Sequence, residues 1–140
     1  MDIKIYTDGA SRNNPGESAS GYLIIDNNEE ILECFYNGIK TNNEAEYIAV
    51  ISALDRLIKE EKESFPIIIH SDSKLIINQL IGSYKVKDLK LMELRNKALT
   101  LSKQFMSCNF KNVLREDKNI KKVDTALNVL LDDIEKSEKQ

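Results

Sequence analysis

The feature that most restricts the fold of this 140-residue chain is a change of hydrophobic period at about residue 43. Before it, apolar residues alternate. Residues 2–8 around Ile3 and Ile5, the run Gly21-Tyr22-Leu23-Ile24-Ile25, and Ile31 to Tyr36 read as three strands. Asp26-Asn27-Asn28 and Asn13-Asn14-Pro15-Gly16 are turn sequences between them, which predicts an antiparallel meander. From Asn43 to Glu63 the spacing becomes helical: Ala45, Ala49, Ala53 and Leu57 recur every four residues, and Ile48, Ile51, Leu54 and Ile58 widen the stripe. A helix with such a face has to cover a sheet. Phe65-Pro66 closes the connection and Ile67 to His70 forms a fourth strand, so strand, helix and strand make a parallel crossover.

The remainder continues this alternation. A short helix through Leu75, Ile76 and Leu80 stops at Gly82, and a longer one carries Leu91, Leu94, Ala98, Leu101 and Phe105. Cys108 to Leu114 reads as a fifth strand, Arg115 to Lys122 as a charged loop, and Val123, Leu127, Leu130 and Ile134 as a terminal helix. The polar residues Glu135 to Gln140 are expected to fray. The expected architecture is α/β, a mixed five-stranded sheet flanked by helices, formed as one domain over residues 1–140.

Composition limits the function classes. With 41% hydrophobic and 31% charged residues the chain reads as ordinary and globular; no apolar run approaches the roughly 20 residues of a membrane span. Met1 to Ile5 lacks the pattern of a signal peptide, so a cytoplasmic location is expected. Two cysteines without CxxC spacing, Cys34 and Cys108, and a single histidine, His70, argue against zinc and against a disulfide scaffold. The net charge of -3 gives no global attraction to a polyanion, so any nucleic acid must be held by local basic patches.

Among the acids, four stand where elements are expected to end. Asp8 leaves the first strand followed at once by Gly9 and Ala10, with little steric cover. Glu46 falls in the first turns of a helix capped by the pair Asn42-Asn43, Asp72 follows the apolar run Ile67-Ile68-Ile69 between two serines, and Asp124 opens the terminal helix. Singly, each has a bland reading: turn chemistry for Asp8, a helix-dipole partner for Glu46, and helix caps for Asp72 and Asp124. Glu44 is discounted because it faces away from Glu46.

Taken together the motifs resemble type 1 ribonuclease H. Tyr6-Thr7-Asp8-Gly9-Ala10-Ser11 with Asn14-Pro15-Gly16, Asn42-Asn43-Glu44-Ala45-Glu46-Tyr47, Ser71-Asp72-Ser73, Gln79-Leu80-Ile81-Gly82 and Val123-Asp124 match that family's motifs in the family's order, from residue 3 to about 131. The resemblance implies sheet order 3-2-1-4-5 with strand 2 antiparallel. It implies Asp8, Glu46, Asp72 and Asp124 as catalytic and metal-binding residues, and a monomer that cuts the RNA strand of RNA–DNA hybrids to 5′-phosphate and 3′-hydroxyl ends. Two Mg²⁺ ions per site are implied, with Mn²⁺ able to substitute. Gly9, Ala10 and Ser11 are the implied contacts to RNA phosphate. Asn14, Asn42 and Asn43 are the implied contacts to the minor groove and DNA strand, with Lys74, Lys85, Lys87 and Lys90 flanking the duplex. Cys34 and Cys108 would lie on opposite edge strands, too far apart to bridge.

Such an acid set suits the chemistry. Phosphodiester hydrolysis needs an activated water, neutralised phosphoryl charge and a stabilised leaving oxygen, which two hard cations about 4 Å apart supply. Carboxylates are fitting ligands for Mg²⁺. Four of them brought together should raise at least one carboxyl pKa. The chain departs from the family pattern in having no histidine in residues 115–122, where Arg115 or Lys118 takes that region, and no long basic insertion after Gly82. Glu17-Ser18-Ala19-Ser20 is poor in glycine, and Ala126-Leu127 inverts the usual order. The alternatives are a catalytically silent hybrid-binding module and a nuclease of the same superfamily acting on DNA or structured RNA.

Overall fold

The computed structural model describes residues 2–139, so Met1 and the final residue of the polar tail, Gln140, lie outside the described residues. The elements run β1 (Ile3–Ser11), β2 (Gly16–Asp26), β3 (Glu29–Lys40), α1 (Asn42–Lys59), β4 (Pro66–Ser71), α2 (Lys74–Leu80), α3 (Leu89–Ser102), β5 (Ser107–Asn112) and α4 (Lys118–Glu138). The five strands form one sheet in the order β3-β2-β1-β4-β5. β2 is antiparallel to both β1 and β3, while β4 is parallel to β1 and β5. This is the expected mixed sheet. Cys34 and Cys108 sit on its two opposite edges as free thiols.

Alternation along the strands sorts side chains to the two faces. Ile3, Ile5, Ile67 and Ile69 pack with Tyr47, Val50, Leu54 and Leu57 of α1 and with Ile76, Leu80 and Ala98 of α2 and α3. The opposite face sends Tyr6, Ala19 and Leu23 against Ile120, Val123, Leu127 and Leu131 of α4. α1 is therefore sandwiched and nearly all apolar on one side, whereas α4 covers its face alone.

The first three strands are longer than their apolar runs, whereas β5 ends at Asn112, short of the expected Leu114. β1 continues to Ser11 and β2 begins at Gly16, because once paired as a hairpin the polar residues Ser11 and Ser18 complete the ladder. Asn27, with φ of 58°, makes the β2–β3 turn. Between β2 and β3 the register shifts at Ser18/Ala19, opposite Gly38 at φ of 78°. The bulged residue, Asn37, turns inward: its Nδ2 donates to Ser20 Oγ at 2.7 Å, and Ser20 Oγ donates to the Ala45 carbonyl at 2.6 Å, tying both strands to α1.

Several helix ends differ from expectation: α1 stops at Lys59, short of Glu63, and α3 at Ser102, short of Phe105. Thr41, not the asparagine pair, caps α1. Its hydroxyl accepts from Glu44 N while the Glu44 carboxylate accepts from Thr41 N, a reciprocal box that starts the helix before the asparagines. α4 opens at Lys118 inside the stretch expected as a loop, because the Asp117 carboxylate accepts from Asn119 N and Ile120 N and Ile120 is buried as its first apolar anchor. α4 also remains helical to Glu138. There Glu135 receives the Arg12 guanidinium at 2.9 Å, and Arg12 also reaches Asp132 at 2.8 Å and the Asn128 carbonyl at 3.2 Å. This clamp holds α4 across the end of β1.

Candidate active site

The sheet itself creates the site. β1 pairs with β4 from Ile3↔Ile67 as far as Tyr6↔His70, yet it runs on to Ser11 with β2 alone beside it. A crevice therefore opens beyond the ends of the two parallel strands, where α/β sheets commonly bind ligands. Asp8 is the first outward residue past the last β1–β4 pair on the α4 face. It lies within β1, not at its end as the sequence suggested, and is only 7% exposed. Asp72 follows β4 directly, and Glu46 reaches in from the second turn of α1.

Gly9 permits that approach. A Cβ on Gly9 would sit 2.3 Å from the Ala45 carbonyl carbon and 2.5 Å from Glu46 N, so only glycine lets α1 come this close to β1. Its own N–H is shared by two carboxylates, donating to Glu46 Oε1 at 2.9 Å and to Asp8 Oδ1 at 3.0 Å. Ser71, fully buried at the end of β4, donates to Glu46 Oε2 at 3.3 Å and accepts from Ser73 N at 3.0 Å. It thus links Glu46 to the turn that carries Asp72. The sequence showed Ser71 only as part of a motif, because its partner Glu46 comes from α1, a contact that local spacing does not reveal.

One carboxylate oxygen from each of Asp8, Glu46 and Asp72 lies within 4.8 Å of the others. Asp124 is not part of that triplet. It sits in the second turn of α4, since the helix starts earlier than expected, and lines the same cavity from the side. The cavity, of about 310 Å³, is walled by the four acids with Gly9, Ala10, Asn42, Asn43, Ser73 and Arg115. Burial and mutual repulsion act on the acids. Asp8 is raised to about 7, chiefly by desolvation, with the Asp72 and Asp124 charges adding to it. Glu46 is raised by burial and by Asp8, and Asp72 by burial, opposed by the Arg115 guanidinium. The expected rise of at least one carboxyl is present.

The other sequence candidates fall around this centre. Asn42 accepts from Ser11 N through Oδ1 at 2.8 Å, and its own N–H donates to Asn14 Oδ1 at 3.0 Å, so both asparagines brace the β1–β2 turn against α1. Asn14 and Asn43 also line a neighbouring groove of about 580 Å³, which Thr41, Asp88 and Lys90 border. Lys74 is exposed at the start of α2 and does not line the acid cavity. His70 is buried, stacked on Tyr6 with ring centroids 4.3 Å apart and with Nδ1 3.0 Å from the Ile5 carbonyl, a packing role. No helix among the described residues is long and apolar enough to cross a membrane.

Comparison with known proteins agrees with this arrangement. The family profile described as reverse transcriptase-like matches residues 6–124. The crystal structure of RNase H1 from the archaeon Halobacterium salinarum superposes with a TM-score of 0.85 at 31% identity, covering 95% of this chain and 99% of that one. LC11-RNase H1 in complex with an RNA/DNA hybrid matches at 33% identity and a TM-score of 0.79, covering 92% and 99% of the two chains. A bifunctional protein of Mycobacterium tuberculosis is 35% identical over 118 residues, of whose length this chain spans 32%. The chain belongs to the type 1 ribonuclease H family.

Proposed function

We propose that this chain is a metal-dependent endoribonuclease that hydrolyses the RNA strand of RNA–DNA hybrids, leaving 5′-phosphate and 3′-hydroxyl ends, and that residues 1–140 act as one domain. The observation that carries the reading is the convergence of Asp8, Glu46 and Asp72 within 4.8 Å at the end of the parallel strands, with Asp124 on the wall beside them. The likeness to a relative solved with an RNA/DNA hybrid supports the substrate.

The donor set fits hard divalent cations. All the ligand atoms are carboxylate oxygens, with neither thiol nor imidazole among them, which suits Mg²⁺ or Mn²⁺ over zinc. Asp8, Glu46, Asp72 and Asp124 would hold two such ions. When bound, they supply an activated water, neutralise phosphoryl charge and stabilise the leaving 3′ oxygen. The protein's own contribution is positional. Gly9 N and Ser71 Oγ fix both oxygens of Glu46, while the Arg12 clamp holds α4 and hence Asp124. Burial and mutual repulsion favour the protonated forms of Asp8 and Glu46, so binding of cations by both competes with protons.

Substrate contacts follow from the surroundings. Gly9, Ala10 and Ser11 would lie against the RNA phosphates, with the Gly9 and Ser11 N–H groups already serving Glu46, Asp8 and Asn42, and Asn14, Asn42 and Asn43 would face the minor groove and DNA strand, where 2′-hydroxyls distinguish the strands. Lys74, exposed at the start of α2, would offer a positive charge to the duplex. The test is incubation with labelled hybrid, duplex RNA and duplex DNA in Mg²⁺, Mn²⁺ or chelator. Only hybrid should be cut, only with metal, and Asp8→Asn should abolish cutting while sparing binding. Equal cutting of duplex DNA would favour a superfamily nuclease, and binding without cutting a silent module.

A further inference from the structure

Arg115 is the one basic side chain on the wall of the acid cavity. It stands in the connection between β5 and α4, outside both elements, and its side chain is exposed. The chain has four arginines. Arg12 pairs with Asp132 and Glu135, Arg56 with Glu33 and Glu60, and Arg95 donates to Asn96. Arg115 has no hydrogen-bond or ion-pair partner among the described residues, although it lies close enough to Asp72 to oppose the rise of that carboxyl.

A guanidinium left unpaired beside four carboxylates has not collapsed onto any of them, so all five of its N–H donors remain open to an incoming group. Its planar fork matches the paired oxygens of a phosphodiester, and its charge does not titrate in the working range. Lys118, the other basic residue of this stretch, is also exposed, but it opens α4 and does not line the cavity.

We propose that Arg115 is a phosphate-contacting residue: its guanidinium binds a phosphodiester of the cut strand at the mouth of the acid cavity, supplying a fixed positive charge that the neighbouring acids cannot. This rests on the nuclease reading above. It adds a specific anchor on the β5–α4 side of the cavity. Because the contact is a charge-assisted bond to one phosphate, its loss should reduce kcat/KM roughly 10- to 100-fold. The slope of binding against salt should fall by about 1.

The experiment measures hybrid binding by fluorescence anisotropy across salt concentrations in chelator, and steady-state cleavage in Mg²⁺, for wild type, Arg115→Ala, Arg115→Lys and Lys118→Ala. Arg115→Ala should show both losses. Arg115→Lys should restore the salt slope and part of kcat/KM, since a point charge replaces the fork. Lys118→Ala should stay within about twofold of wild type, below the cost of one charged hydrogen bond. An unchanged salt slope for Arg115→Ala, or equal losses from Lys118→Ala, would overturn the assignment. If wild type binds hybrid but cuts nothing, the reaction fails as proposed, while the binding slopes still decide the role of Arg115. If wild type does not bind hybrid at all, both fail.

Discussion

Asp8→Asn should make the cation-free protein more stable at high pH while destroying its proposed activity, and the size of the gain can be worked from the site. Asp8 rises from 3.8 to about 7 because it is buried beside other acids. The folded state therefore binds a proton that the unfolded chain has already released between those two values, and stability falls as pH rises through that window. Three units correspond to about 4 kcal/mol once the group is fully ionised. Part of this is recovered because Glu46 is raised as well, by burial and by the Asp8 charge, which lessens the repulsion Asp8 meets. A neutral amide should then stabilise the protein by about 1–3 kcal/mol near pH 8, or roughly 3–10 °C in Tm for a domain of this size. Near pH 4 the carboxyl is protonated in the folded state and the advantage should vanish. Thermal melts in chelator at the two pH values measure this. A substitution that is neutral or destabilising near pH 8, or a gain equal at both pH values, would show that the acids are not held together at an electrostatic cost.

Divalent cations should reverse that cost. Mg²⁺ or Mn²⁺ at about 100 times its dissociation constant should stabilise wild type by about 2.7 kcal/mol near neutral pH, and much less near pH 5, where protons compete for the same oxygens. Asp72→Asn should lose most of this shift in a calorimetric scan. Gly9→Ala should cost about 1–3 kcal/mol in denaturant melts, because the new methyl drives into the backbone at Ala45 and Glu46, and cleavage should fall with it. Thr41→Ala should cost about 1 kcal/mol by removing one half of the α1 cap, whereas the same change at Asn43 should leave helix stability nearly unaltered.

The alternation of Ile3 and Ile5, the four-residue recurrence of Ala45 to Leu57 and the apolar run at Ile67 were enough to order strands and helices, because burial on one or two faces leaves a period in the chain itself. What blurred was at the ends. The extension of β1 to Ser11 exists because it pairs with β2 as far as Ser18, and β2 reaches back to Gly16 because Gly16 and Glu17 pair with Lys40 and Ile39 of β3. The start of α4 was hidden because Lys118 to Lys122 carry charge with only Ile120 as an apolar anchor, although Asp117 was a readable cap. Thr41 and Glu44 likewise spelled a reciprocal cap that the neighbouring asparagines obscured.

The acids were legible as a set of residue types at element boundaries, and as motifs of one family in order. Their local spacing could say no more, since the three that meet come from β1, α1 and the turn after β4. Tertiary structure decided which oxygens meet, that Asp124 stands to one side, that one backbone N–H of Gly9 serves two carboxylates, and that Ser71 joins Glu46 to the Asp72 turn. Periodicity is a local property and survives in one dimension. Proximity between strands and helices dozens of residues apart arises only when β4 stops pairing at Tyr6 and leaves β1 to run on, opening the crevice into which the acids turn.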